Sequence, residues 1–195
     1  RVTGAECLLR TLLNNGVDLW LMNPGTSEMQ FVSALDGVPT MRAVLCLFEG
    51  VCSGAADGYA RMLGQPAATL LHLGPGLANG LANFHNARKA RSPVVNIVGE
   101  HSTLHLPYDA PLTADIAAFA RTVSGWVRVL ESAAGMGAAA SEAVAAAVQP
   151  PGQVATLIVP ADFSWSEAGV AGGAIERPTP RAPDSARIRE AAEIL

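Results

Sequence analysis

The stretch PAATLLHLGPGLANGLANFHNARKARSPVVNIVGE, residues 66–100, decides the fold class. It opens on an apolar run, PAATLLHL, and meets glycine–proline punctuation, GPG, at 74–76. A periodic segment over 77–90 then reads as a helix, and a second apolar run, PVVNIVG, follows. Both runs are apolar throughout instead of alternating. That is the pattern of strands buried on two faces, and two such strands joined by a helix pair in parallel. GPG reads as a tight turn between the first strand and the helix.

The same alternation extends in both directions. TGAECLLRTLLNNG (3–16) reads as a helix, with Thr3 and Glu6 spaced as a capping box and Gly16 near its end. VDLWLM is a strand, and NPGTSE (23–28) a turn into a short helix through Leu35, capped by Ser27 and Glu28. RAVLCLF is a strand, and 49–63 a helix ended by Gly64. An irregular stretch is expected from Glu100 to about Pro111, then a strand VSGWVRVL, an alanine-rich helix over 132–148 and a last strand QVATLIVP. The expected fold is therefore α/β, a parallel sheet with helices on both faces. It occupies residues 1–167. A Gly/Pro/Ala-rich linker over 168–184 leads to SARIREAAEIL (185–195), read as the start of a central domain.

Composition narrows the function. Half of the 195 residues are hydrophobic, 15% are charged, and the net charge is −4 with the basic residues scattered, which excludes a nucleic-acid footprint. No apolar run reaches the length of a membrane span. Three cysteines, Cys7, Cys46 and Cys52, in apolar segments suit buried thiols in a reducing cytoplasm.

In a parallel sheet, ligands bind outside the carboxyl ends of the strands. Three strand ends carry unusual residues: NPGTSE, FEG and HLGPGLANG. The last, followed by a strand and Glu100, has the outline of a dinucleotide fold with Glu100 as a ribose ligand. The fit is imperfect, because Asn79 stands at the third glycine position and Gly80 comes one residue late. Glu49 is the sharper signal. A carboxylate at a helix N-terminus is ordinary. This one follows an apolar strand, has no polar sequence neighbour and sits at the ligand edge, as a proton-handling group would.

These residues carry a resemblance. NPGTSEMQFVSALDG, the string FEGVCSGAADGYAR and GPGLAN resemble the N-terminal pyrimidine-binding domain of thiamine diphosphate enzymes, in the acetolactate synthase and benzoylformate decarboxylase branches. The resemblance covers residues 2–167. It implies that Glu49 hydrogen-bonds N1′ of the cofactor's aminopyrimidine and shares the proton that lets the 4′-nitrogen deprotonate thiazolium C2, for attack on a 2-oxo acid. It further implies that Pro24, Pro75 and Asn79 contact the pyrimidine, and that Thr26 and Glu100 face the substrate. His72 stands where benzoylformate decarboxylases place an active-site histidine and acetolactate synthases a hydroxyl residue, so a catalytic role stands beside that of a core histidine. Glu100 replaces a glutamine common in relatives, and its pairing with His101 or His105 is expected. Those two histidines lack a third ligand for a metal. His85 is expected to pack.

The resemblance implies Mg²⁺, held by a G-D-G…N segment of a later domain; this chain has only LDG and ADG. FAD in the central domain is compatible with it. A homodimer or homotetramer is implied, because the pyrimidine domain of one subunit faces the diphosphate domain of another. The expected activity is 2-oxo acid decarboxylation or carboligation, acetolactate synthase large-subunit-like. The alternatives are a benzoylformate-type decarboxylase and a non-catalytic paralogue.

Overall fold

The computed structural model describes residues 2–178 and 182–195. Six strands form one all-parallel sheet: β1 Leu19–Asn23, β2 Arg42–Leu45, β3 Ala67–His72, β4 Val94–Glu100, β5 Trp126–Val129 and β6 Val154–Pro160. Their order is β2-β1-β3-β4-β6-β5. The helices are α1 Gly4–Asn14, α2 Met29–Ala34, α3 Glu49–Leu63, α4 Leu73–Ala90, α5 Ile116–Arg121, α6 Met136–Val148, α7 Ala161–Trp165 and α8 Ser185–Ile194.

The two-sided burial read from the apolar strands is what forms. On one face Leu8, Leu12, Ala139 and Ala143 of α1 and α6 pack on Trp20, Leu70, Ile97 and Leu157. On the other, Ala56, Leu77, Phe84 and Ala120 of α3, α4 and α5 pack on Leu21, Leu71, Val98 and Ile158. β4 and β6 are buried along their whole length. One polar row crosses this core. Thr69, Asn96 and Thr156 lie in register on β3, β4 and β6. Thr69 Oγ1 donates to Asn96 Oδ1 (2.8 Å), Asn96 Nδ2 donates to Thr156 Oγ1 (3.0 Å), and Ser124 Oγ meets Thr156 Oγ1 at 2.7 Å.

Several local expectations are corrected. GPG is not a turn: α4 already begins at Leu73, and the chain reverses at that one residue, whose φ is +53°. Pro75 lies in the first helical turn, where its missing N–H has no intrahelical partner to lose. α5, unanticipated, is six residues long and is started by Asp115, whose carboxylate accepts from Ala118 N–H (2.8 Å). α6 begins at Met136 after a 3₁₀ turn over Ala133–Gly135. Only half of the first capping box forms, because the Glu6 carboxylate turns to Arg10 (2.7 Å). β2 is exposed along its length because it is an edge strand. His85 is exposed, since its neighbour Phe84 takes the inward face of α4. Part of the expected linker lies along α1: Gly172 N–H donates to Thr11 Oγ1 (2.9 Å) and Ile175 N–H to Asn15 Oδ1 (2.8 Å). Residues 179–181 of that linker lie outside the described residues.

The connection from β1 leads outward to β2, and that from β3 leads the other way to β4. The carboxyl edge between β1 and β3 is therefore the point where the winding reverses, the place where open α/β sheets form their crevice.

Candidate active site

At that crevice Asn23 pairs with Leu71, so the turns after β1 and β3 emerge side by side. Residues Thr26–Glu28 form a 3₁₀ turn that carries Glu28 into full burial, at 0% exposure. Its Oε2 accepts from Gly25 N–H (2.7 Å) and meets His72 Nδ1 at 2.7 Å. Its Oε1 is shielded from solvent and has no hydrogen-bond partner among the described residues. Two glycines make the room. A Cβ on Gly99 would overlap the Glu28 carboxylate, and one on Gly25 would overlap the His72 ring. The hydrogen bond that His72 makes to the Glu28 carboxylate lifts its imidazole above the ordinary value, against the opposing pull of burial.

Glu49 opens α3 and is 9% exposed. The polar partner missing from its sequence neighbourhood comes from 30 residues downstream: Asn79 Nδ2 donates to Oε2 at 3.0 Å. Asn83 Nδ2 donates to the Gly50 carbonyl (2.7 Å), tying α4 to the start of α3. Gly76 lets the two helices close up, since a Cβ there would sit 3.2 Å from Glu49 Oε1 and 3.4 Å from His72 Cβ. Glu49, Asn79 and His72 thus gather around the first two turns of α4. Pro75, Asn79 and Thr26 are exposed, and Pro24 is half-buried in the turn after β1. Around Glu49 the surface is apolar: Leu45, Leu47, Phe48 and Val51 are all exposed.

Glu100 is buried at the end of β4. Burial lifts its carboxyl above the ordinary value, and Glu28 adds to the effect. The expected pairing with an imidazole is corrected, because Oε1 accepts from the backbone N–H of His101 (2.8 Å). The dinucleotide alternative fails on the same geometry. Gly74 and Gly76 lie inside α4, packed so that a Cβ on the first would overlap Ala114, and the strand order differs from the 3-2-1-4-5-6 of that fold. Glu28 was missed as more than a helix cap. The string GTSE carries no sign of a histidine 44 residues away.

Residues 2–119 match the family described as thiamine pyrophosphate enzyme, N-terminal TPP binding domain. The chain belongs to that family. As a thiamine pyrophosphate enzyme domain it is 58% identical over 182 residues to the "Putative acetolactate synthase large subunit IlvX" of Mycobacterium tuberculosis, a match covering 93% of this chain and 35% of that protein. It is 30% identical over 162 residues to the benzoylformate decarboxylase of Pseudomonas aeruginosa, covering 83% of this chain and 30% of the relative. The crystal structure of benzoylformate decarboxylase from Polynucleobacter necessarius superposes with a TM-score of 0.87 at 25% identity, over 100% of this chain and 36% of that one. The chain spans about a third of the length of these relatives. Among the described residues no helix is long and apolar enough to cross a membrane, and no cluster of three or more His, Cys, Asp or Glu side chains could hold a metal.

Proposed function

We propose that this chain is the pyrimidine-binding domain, residues 1–167, of an enzyme that decarboxylates or joins 2-oxo acids, acetolactate synthase large-subunit-like. The observation that carries the reading is the Glu49 carboxylate. It is nearly buried at the carboxyl edge, with Oε2 held by Asn79 and Oε1 3.2 Å from where a Cβ on Gly76 would sit. A cradle that a Cβ would crowd, with one carboxylate oxygen left over it, fits a flat ring bearing a basic nitrogen. When bound, thiamine diphosphate supplies the nucleophilic thiazolium carbon and the electron sink for loss of carbon dioxide. Glu49 holds a proton at the aminopyrimidine N1′, Asn79 fixes the carboxylate that does so, and Pro24 and Pro75 wall the ring. Thr26 and Glu100 lie toward the substrate.

Replacing Glu49 by Gln should leave the fold intact and lower turnover at least about 10²-fold, the scale of a lost acid–base group. Hydrogen–deuterium exchange at C2 of bound cofactor reads this directly. Unchanged exchange in the variant sinks the assignment.

The Glu28–His72 pair favours a second reading, a benzoylformate-type decarboxylase. With Nδ1 engaged by Glu28, the raised imidazole keeps Nε2 as the nitrogen that can hand a proton to a product carbon, releasing aldehyde. Product analysis of wild type and His72→Thr on pyruvate and on an aromatic 2-oxo acid separates the two readings. Only acetolactate from both proteins, at equal rates, makes His72 a packing residue.

Membership of the family supports the rest of the reading. A later domain, entered through 168–184 and beginning at 185–195, precedes a diphosphate domain that holds Mg²⁺, and a central-domain FAD is compatible with this layout. The exposed apolar surface of Leu45, Leu47, Phe48 and Val51 beside Glu49 supports a homodimer or homotetramer in which a partner's diphosphate domain covers the site. The free buried cysteines support a cytoplasmic location.

A further inference from the structure

Beside the Glu28–His72 pair lies a cavity of about 350 Å³ between the turn after β1, the loop after β4 and α7. Thr26 and Ser27 line it on one side, His101, Ser102 and His105 on another, and Leu73, Leu112 and Trp165 complete an apolar wall. Among the described residues that line it none is acidic. The two imidazoles stand edge to face, 6.2 Å between centroids and 85° between planes. His101 Nε2 is shielded from solvent and makes no hydrogen bond among the described residues. The loop that presents them is held in place. Thr103 donates to the Asp162 carboxylate of α7 through both its N–H (2.9 Å) and its hydroxyl (2.6 Å), and His105 N–H donates to the Ser102 carbonyl (2.8 Å).

The cavity therefore offers three hydroxyls, two from the turn after β1 and one from the loop after β4, and two imidazoles on that fixed loop, with no carboxylate in its lining. Neither nearby acid hydrogen-bonds these imidazoles: Glu28 Oε2 is held by Gly25 and His72 while its Oε1 has no partner among the described residues, and Glu100 Oε1 accepts from the His101 backbone. Burial and the neighbouring His105 and His72 hold His101 below its ordinary value, against a smaller opposing pull from Glu28. An anion set among these rings would reverse the repulsion between the imidazoles.

We propose that this cavity receives the side chain of the substrate and that His101 and His105 bind an anionic group at its end, so that the preferred substrate is a dianionic 2-oxo acid. The proposal rests on the thiamine diphosphate reading above and names the substrate class for it. A neutral chain of the same length would fill the apolar wall and leave the imidazoles without a partner.

The whole protein that carries this chain, loaded with thiamine diphosphate and Mg²⁺, is assayed for carbon dioxide release. The substrates are 2-oxoglutarate and 5-methyl-2-oxohexanoate, whose isopropyl end replaces the terminal carboxylate. Wild type should favour the dianion in kcat/KM by about tenfold or more, the scale of one charge-assisted hydrogen bond. His101→Gln and His105→Gln should each bring the ratio toward one. Histidine NMR of the cofactor-free protein titrated with glutarate gives a second readout, in which the His101 and His105 signals move and their pKa values rise. A wild-type ratio at or below one, or imidazole signals that ignore glutarate, overturns the anion site while turnover of the neutral acid leaves the thiamine reading standing. Absence of all turnover together with absent C2 exchange removes both.

Discussion

Gly99→Ala tests the packing around Glu28. Gly99 has no positive φ, so alanine suits its backbone, and the penalty comes only from the methyl group landing on a carboxylate at 0% exposure. The carboxylate must move, and moving it breaks the bonds to Gly25 N–H and His72 Nδ1, each 2.7 Å. Hydrogen bonds to charged groups are worth about 1.5–3 kcal/mol each. Since the His72 side chain is 21% exposed, water recovers part of its share, and a loss of about 3 kcal/mol is expected from the pair. Urea unfolding of wild type, Gly99→Ala, Glu28→Ala and the double variant, followed through the buried Trp20, measures it. In the Glu28→Ala background the overlap is gone, so the same glycine substitution should cost about 0.5 kcal/mol or less. Equal costs in the two backgrounds, or a small cost in wild type, would refute the reasoning.

Three further tests follow from the hydrogen bonds. Glu28→Gln should lower the His72 pKa toward 6.5 in an NMR titration. Because the folded value is raised, the stability contributed by this pair is complete below that ordinary value and lost as pH rises through the folded one, so the gap between wild type and variant should narrow on going alkaline. Asp57 runs the opposite way. Burial would raise it, but hydrogen bonds from Arg61 and Ser92 outweigh that and hold it below 3.8. Asp57→Asn should cost about 1 kcal/mol at neutral pH, Arg61 being half exposed. That cost should fade as pH drops through the depressed value, as acid titration of Tm can follow. Asn96→Leu strands the Thr69 hydroxyl, leaves Thr156 with Ser124 alone, and should lower stability by about 2 kcal/mol in urea.

The alternation of apolar runs and helices made the parallel sheet legible, and with it the shared edge that carries Pro24, Glu49 and His72. What stayed hidden depends on strand order. Glu28 meets His72 only because β1 and β3 are neighbours, with Asn23 opposite Leu71, and no local spacing encodes that adjacency. Asn79 could be read as a ring contact from the resemblance, but its bond to Glu49 needs Gly76 to bring α4 against α3. The start of α4 was misread because GPG satisfies turn chemistry equally well. The deciding event is the left-handed φ of Leu73, a conformation no leucine advertises. α5 escaped notice because six residues are too few to show a helical period.

Strands that are apolar on both faces have a weakness. A slide of two residues returns every side chain to the same face and buries nearly the same area, so hydrophobic pattern alone does not fix the alignment of PAATLLHL against PVVNIVG and QVATLIVP. The Thr69–Asn96–Thr156 row supplies the missing key. Displaced by two positions, Asn96 would meet only apolar side chains on β3 and β6, and its amide would be left without partners in a dry core. Three residues further along the same strands stand His72, Gly99 and Val159, matched to one another by that alignment. The key therefore seats the one residue without a side chain under the Glu28 carboxylate, and a stretch of dry core sets the registration of the edge that carries the candidate site.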